Sequence, residues 1–144
     1  MLMSTHLLLG LVIGNLVKHP FAVLLGAVLI DFDHIFAYYM SNRKTSLKDL
    51  LQLNLLPDEE ISLRSFFHTL IGWTATTVIL MLINYDFGLY FSIGYISHLF
   101  LDAIDGSNLY LFYPLHINVR GPITYNSYAE YLLNICLLII LFLI

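Results

Sequence analysis

The sequence predicts an all-α, multi-pass membrane protein with four to five apolar helices and one short amphipathic helix on the membrane surface. Hydrophobic residues make up 59% of the 144-residue chain and charged residues only 11%, where a soluble protein carries about 25% charged residues. The mean hydropathy is +0.82. The length suits a single domain spanning residues 1–144. A net charge of −4 with six basic residues excludes nucleic-acid binding.

Five apolar segments define the predicted helices. A membrane span takes about 20 residues, so the first segment, Thr5–Val17, is short. Only Lys18-His19-Pro20 separates it from the second, Phe21–Met40, which is typical of a helical hairpin, and proline suits the first turn of a helix. The other three segments have the length of a span: Phe66–Ile83, Gly88–Ile104 and Tyr128–Ile144.

Two polar regions connect these segments. In Ser41–Ile61 four leucines recur at helical spacing among charged residues, which predicts the amphipathic surface helix. Asp105–Asn126 contains two glycines and two prolines and is predicted to be a loop.

The distribution of basic residues predicts the orientation. If the five helices alternate, five lysines and arginines lie on one side of the membrane and Lys18 alone on the other. The richer side is expected to be cytoplasmic. The ionisable residues of all five helices fall in the same half, so we predict an inner-membrane protein with a site that faces the cytoplasm.

Two motifs carry most of the chemistry. His98 and Asp102 are four residues apart and share a helical face, as either a metal-binding pair or a polar pair between helices. Asp31, Asp33 and His34 lie within an apolar run, where without a cation the acids would repel each other or retain protons. Either the helix breaks there, or Asp33 orients a ligating histidine without contacting the metal itself.

Five further residues are candidates. His6 opens the first helix, as either a ligand or a hydrogen-bonded buried histidine. His68 opens the third, as a ligand or an acid/base, and both lie at the shared face. Arg64 either binds a phosphate or carboxylate of the substrate or extends to lipid headgroups. Glu130 opens the last helix, where it acts as a base or ligand or stabilises the helix N-terminus. Asp105 continues the stripe of His98 and Asp102.

Histidine and carboxylate ligands without cysteine suit a hydrolytic metal centre. We expect one or two divalent ions, zinc or manganese. Two ions about 3.5–4 Å apart would use more ligands than the three of one catalytic zinc. The predicted metal ligands are His6, Asp31, Asp33, His34, His68, His98 and Asp102.

The motifs resemble a known family, the YdjM-type, LexA-regulated inner-membrane proteins described as metal-dependent hydrolases. The first two of its motifs, His-Leu-Leu and Asp-x-Asp-His, resemble His6–Leu8 and Asp31–His34. The motif His-Arg-Gly-x-Thr-His-Ser resembles Leu63–Thr69, and Gly-x-x-Ser-His-x-x-x-Asp resembles Gly94–Asp102. The family's proline-containing loop resembles the run to Pro114, and its glutamate at the start of the last helix resembles Glu130. Two departures stand out. Leu63 replaces a family histidine, and Asp105-Gly106 replaces a Thr-Pro pair. A more distant similarity to zinc-dependent phospholipases C suggests phosphoester substrates.

We therefore predict a membrane-bound hydrolase that acts on a phosphoester or lipid-linked substrate by metal-activated water. Glu130 or Asp105 would accept a proton, Arg64 would hold the substrate anion, and membrane lipids would surround the protein. Two alternatives remain at this point. One is an ion or proton transporter with an intramembrane relay. The other is a non-catalytic membrane protein with a structural metal.

Overall fold

The computed structural model describes residues 1–32 and 66–144, and within these ranges every regular element is helical. The all-α class is therefore confirmed for the described residues. The predicted surface helix in Ser41–Ile61 and most of the second half of Phe21–Met40 lie outside them. The helices are α1 (Met3–Leu16), α2 (Pro20–Val28), α3 (Leu70–Ile83), α4 (Tyr85–Ile104) and α5 (Tyr128–Leu143), with single 3-10 turns at Leu29–Asp31 and Phe66–His68.

The first two helices form the predicted hairpin. Pro20 occupies the first turn of α2, where its missing N–H is not needed. Lys18 adopts a left-handed conformation with φ of 62°, which reverses the chain between the helices. The α-helical part of the second segment ends at Val28 and continues as a 3-10 turn to Asp31. The α-helix thus gives way to a 3-10 turn at Asp31, while Asp33 and His34 lie outside the described residues.

Helix α4 is central, because it contacts α1, α2 and α3, while α5 packs on α1. Glycines allow the closest of these approaches: a Cβ atom on Gly94 would lie 1.9 Å from the carbonyl oxygen of Val23, and one on Gly26 would lie 2.0 Å from that of Phe91. Small residues at a helix crossing let two backbones pack in direct contact. This crossing fixes α2 against the middle of α4.

The packed interior is a small apolar cluster between α2, α3 and α4. Tyr95 is fully buried there, and its hydroxyl donates a hydrogen bond to the carbonyl of Phe67. This bond ties the turn that carries His68 to the central helix. The buried members of the cluster are Ile30, Phe91, Tyr95 and Leu99.

The outer faces of the helices remain apolar. Only α4, among the described helices, is long and apolar enough to cross a membrane, and the other four are shorter apolar helices. Large side chains on α3 and α5 are exposed, among them Ile79, Leu82, Leu132 and Phe142. The multi-pass arrangement stays a prediction.

The segment between α4 and α5 is irregular, as predicted, and it is held by two isolated β-bridges. Asp105 pairs with Ile123, and Leu109 pairs with Val119 through two backbone hydrogen bonds of 3.1 and 2.8 Å. The N–H of Leu70 also donates to the carbonyl of Leu111 at 2.9 Å. The loop is thus attached both to the end of α4 and to the start of α3.

Candidate metal centre

Three buried side chains form a nearly equilateral triangle at one end of α4. His98 and Asp102 are one helical turn apart, and His98 Nε2 lies 3.4 Å from Asp102 Oδ2. His68, from the turn before α3, places its Nε2 3.3 Å from His98 Nε2 and 3.5 Å from Asp102 Oδ2. We refer to these three ligand atoms as the His68–His98–Asp102 triangle. His98 and Asp102 thus share one face of α4, as their four-residue spacing predicts.

The size of this triangle fits a tetrahedral ion. Zinc bonds of about 2.0–2.2 Å to nitrogen and oxygen separate neighbouring ligand atoms by about 3.3–3.6 Å in a tetrahedron. An octahedral ion with bonds of about 2.0–2.1 Å, such as magnesium, would bring them to about 2.8–3.0 Å. The observed edges of 3.3, 3.4 and 3.5 Å match the tetrahedral case. The described donors therefore fit zinc with one vertex left over.

Two more predicted ligands border the triangle. Asp31 Oδ1 lies 3.6 Å from His98 Nε2 and 3.9 Å from His68 Nε2. His6 Nε2 lies 3.4 Å from the other oxygen of Asp102, Oδ1, and its ring stacks on that of His98 with 4.0 Å between centroids. Among the described residues, His6, Asp31 and His98 also form a second group close enough to hold a metal ion.

A backbone carbonyl fixes the orientation and tautomer of His98. Its Nδ1 lies 2.8 Å from the carbonyl oxygen of Ala27 on α2. A carbonyl can only accept, so Nδ1 must carry the proton. In the neutral ring the lone pair of Nε2 then faces His68 and Asp102, and this form is the one that binds a metal.

The cluster is almost closed to solvent. His6, His68 and His98 are at most 1% exposed and Asp102 is 4% exposed. Burying an ion without full compensation carries a penalty of several kcal/mol, so a carboxylate among three imidazoles needs positive charge from protonated histidines, a bound cation or the nearby Met1 amine. The side chain of Asp31 is 22% exposed, and it marks the more open side of the cluster.

Asp105 lies beside the cluster and pairs with the chain's amino group. The Met1 amine is 3.2 Å from Asp105 Oδ2 and 3.7 Å from Asp102 Oδ1, and Ser107 Oγ donates to Asp105 Oδ2 at 2.7 Å. Burial alone would lower the pKa of this amine, but Asp102 and Asp105 raise it above its ordinary value. The ammonium thus supplies positive charge at the edge of the carboxylates.

Glu130 connects the beginnings of α1 and α5. Its Oε1 accepts hydrogen bonds from the N–H of Leu2 at 2.5 Å and from the hydroxyl of Thr5 at 3.1 Å, and its Oε2 accepts from the N–H of Asn126 at 2.8 Å. The side chain is fully buried. These bonds hold the turn of α1 that carries His6. The predicted role of Glu130 as a base stays a prediction.

Comparison with known proteins identifies the family. The family model described as YdjM inner membrane protein matches residues 1–144, the whole chain. The chain belongs to the YdjM family of inner membrane proteins. No curated protein and no solved structure matched the chain.

In this YdjM-family chain the structure brings together predicted residues from four separate segments: His6 from α1, Asp31 from the end of α2, His68 from the turn before α3, and His98 with Asp102 from α4. Three other predicted residues, together with the family departure at Leu63, lie outside the described residues: Asp33, His34 and Arg64.

Two contributors were missed from the sequence of this YdjM-family member. The carbonyl of Ala27 carries no side-chain signal, so its bond to His98 required the helix crossing to be known. Thr5, which binds Glu130, immediately precedes His6. A hydroxyl beside a candidate ligand at a helix start is a sequence feature that could have indicated it.

Proposed function

We propose that this YdjM-family protein is a membrane-bound, metal-dependent hydrolase that acts on a phosphoester or lipid-linked substrate at the cytoplasmic face. The observation that carries the proposal is the His68–His98–Asp102 triangle. The distances between its three atoms match those between ligand atoms in a tetrahedral zinc site. Three protein ligands with a fourth position left over are typical of catalytic zinc. The match favours zinc over manganese, which prefers octahedral oxygen ligands.

The ligand roles follow from which atoms face one another. His68 and His98 would supply imidazole nitrogens and Asp102 one carboxylate oxygen. A divalent ion held there would lower the pKa of a water molecule and polarise a phosphoester. The carbonyl of Ala27 accepts from Nδ1–H of His98, so the neutral ring would present the lone pair of Nε2 to the ion.

Asp102 also supports a second ion. Its Oδ2 faces His68 and His98 while its Oδ1 faces His6, which is the arrangement of a carboxylate shared by two ions. His98 has one inward nitrogen and so ligates one ion only. A second ion would therefore draw on His6 and Asp31, and on the predicted ligands Asp33 and His34.

Charge at the site favours an anionic substrate. Two divalent ions would carry four positive charges against the three carboxylates proposed as their ligands, those of Asp31, Asp33 and Asp102. Such a site attracts phosphate rather than a neutral amide. Arg64, four residues before His68, is the proposed contact for the phosphate oxygens.

For the proton acceptor we propose Asp105 over Glu130. Glu130 already accepts three hydrogen bonds from α1 and from the start of α5, and accepting a proton would disrupt them. Asp105 lies one turn beyond Asp102 and is bonded to Ser107 and the Met1 amine. A proton taken from water would reside on the Asp105 carboxylate, and the two contacts weakened there are not the ones that hold the turn of α1 carrying His6.

The test compares two aspartates on the same helix. Wild type, Asp102→Ala and Asp86→Ala are purified, analysed for bound metal, and assayed for release of phosphate from soluble phosphomonoesters and from phosphatidic acid in vesicles. Asp86 is exposed at the opposite end of α4 and serves as the matched control. We expect metal and activity in wild type and Asp86→Ala and neither in Asp102→Ala. Wild type without bound metal would overturn the proposal.

A structural metal is the second candidate, and the burial of the ligands is the observation that favours it. Closed sites with ligands at most 4% exposed resemble structural zinc sites more than open catalytic ones. The partly exposed Asp31 separates the two functions. Asp31→Ala should abolish hydrolysis and retain one ion if the site is catalytic. A wild-type protein with metal but no hydrolysis of any phosphoester would favour the structural role.

A further inference from the structure

The loop after α4 presents an exposed apolar tip beside the candidate metal centre. We refer to residues 110–117 as the loop tip. Five large side chains in it are between 43% and 61% exposed, and from Phe112 to Asn118 every residue is exposed. No aspartate, glutamate, lysine or arginine occurs between Asp105 and Arg120. The five side chains are Tyr110, Phe112, Tyr113, Leu115 and Ile117.

This exposure belongs to a well-anchored loop. The two hydrogen bonds between Leu109 and Val119 close its base, and Leu109 is fully buried. Leu111 packs against the apolar cluster of the helices, and its carbonyl accepts from the N–H of Leu70. The inward and outward side chains alternate at Leu109, Tyr110, Leu111 and Phe112. At this part of the loop Leu109 and Leu111 therefore pack inward, while Tyr110 and Phe112 are exposed.

Such a surface is unfavourable in water and suited to a membrane interface. Contiguous exposed apolar side chains in a soluble protein indicate a binding surface, and burial of side chains of this size contributes roughly 1.5–3 kcal/mol each. Tyrosine is enriched at the boundary between headgroups and acyl chains, because its ring is apolar and its hydroxyl polar. Arg120, exposed at the base of the loop, is placed to contact headgroup phosphates.

We propose that the loop tip inserts into the boundary between the lipid headgroups and acyl chains of the bilayer that holds this protein. Two observations select lipid as the occupant: the chain belongs to an inner-membrane family, and the loop continues directly from α4, the helix long enough to cross a membrane. The tip then forms an interfacial anchor that positions the end of α4 at headgroup level.

The position of the anchor also bears on the choice of substrate. This step rests on the proposed hydrolase function. Leu111 of the loop bonds to Leu70, two residues after His68, and the loop itself begins at Asp105, which borders the centre. Lipid headgroups around the tip therefore lie next to the metal centre. This placement favours a membrane lipid phosphoester over a soluble one.

The test measures how deeply tryptophan side chains placed in the loop tip lie in a lipid bilayer. It needs neither bound metal nor hydrolytic activity. Trp73, the only tryptophan, is replaced by phenylalanine, and single tryptophans are introduced by Phe112→Trp, Leu115→Trp and, as the control, Thr124→Trp. Thr124 is exposed in the same loop but beyond its base. The proteins are placed in phosphatidylethanolamine–phosphatidylglycerol vesicles, and quenching by acrylamide and by lipids brominated along the acyl chain is compared.

We expect the tryptophans of Phe112→Trp and Leu115→Trp to be quenched by brominated lipid and to be several-fold less accessible to acrylamide than that of Thr124→Trp. Equal acrylamide quenching at all three positions would overturn the proposal, because the tip would then lie in water. Protection from both quenchers together with cross-linking between chains would also overturn it, in favour of a second copy as the occupant. The failure of hydrolysis assays would leave these results unchanged.

Discussion

Gly94→Ala tests whether the close crossing of α2 and α4 positions the metal ligands. The added Cβ would lie 1.9 Å from the carbonyl oxygen of Val23 and 2.9 Å from the nitrogen of Ala27. Real Cβ contacts essentially never fall below 3.0 Å, so α2 must move away from α4 by at least the difference, about 1.1 Å. Overpacking of this kind destabilises a protein by roughly 1–3 kcal/mol.

The same displacement acts on the centre. The bond between His98 Nδ1 and the Ala27 carbonyl is 2.8 Å long, and a shift of about 1.1 Å extends it toward about 3.9 Å, beyond hydrogen-bonding distance. Asp31 at the end of α2 moves with it. Loss of such an orienting partner lowers metal affinity by about 10–100-fold. We expect that decrease for zinc in Gly94→Ala.

The assay is a zinc titration against a fluorescent chelator, with thermal unfolding measured on the same samples. Gly106→Ala is the matched control, because a Cβ there meets its nearest atoms at an ordinary 3.4 Å. The reasoning is refuted if Gly94→Ala remains folded and binds zinc as tightly as wild type and Gly106→Ala.

Three further predictions address the ligands and their support. Asp102→Asn keeps the shape of the side chain but removes its charge, so we expect zinc affinity to fall at least about 10-fold. The control Asp86→Asn should leave zinc affinity unchanged, and an equal loss in both variants would contradict a specific site. Glu130→Gln places an amide N–H₂ group against the backbone N–H donors of Leu2 or Asn126. We expect the free energy of unfolding, measured by thermal unfolding, to decrease by roughly 1–3 kcal/mol, while the zinc stoichiometry at saturation stays the same. Zinc affinity should decrease at acid pH, because imidazoles must be neutral and carboxylates ionised to bind metal. Titrations that give the same affinity at neutral and at acid pH would refute histidine ligation.

Much of the fold followed from hydrophobic segments in the sequence. The limits of α1, α3 and α5 lie within a few residues of the predicted segments, and Pro20 marked the start of α2. The third segment differed because Phe66–His68 forms a 3-10 turn, and Thr69 caps α3 by accepting from the N–H of Gly72. A threonine within an apolar run gave little indication of this break, because apolar periodicity continues through it.

The composition of the candidate site was also predictable, but its geometry was not. Four-residue spacing placed His98 and Asp102 on one face of a helix, and the predicted alternation of the helices placed His6 and His68 at the same end, where the structure has them. The triangle itself depends on how closely α2 and the start of α3 approach α4. That approach is set by Gly26, Gly94 and the Tyr95 hydroxyl, which act through tertiary contacts that a single sequence does not specify.

The most direct test of the account is zinc-edge X-ray absorption on the purified protein after expression in zinc-supplemented medium, together with a metal count per chain. The account predicts one or two zinc ions per chain, nitrogen and oxygen neighbours at about 2.0–2.2 Å, outer-shell scattering from at least two imidazoles, and loss of this signal in Asp102→Ala. A protein that carries no stoichiometric metal, or zinc without imidazole scattering, would contradict it.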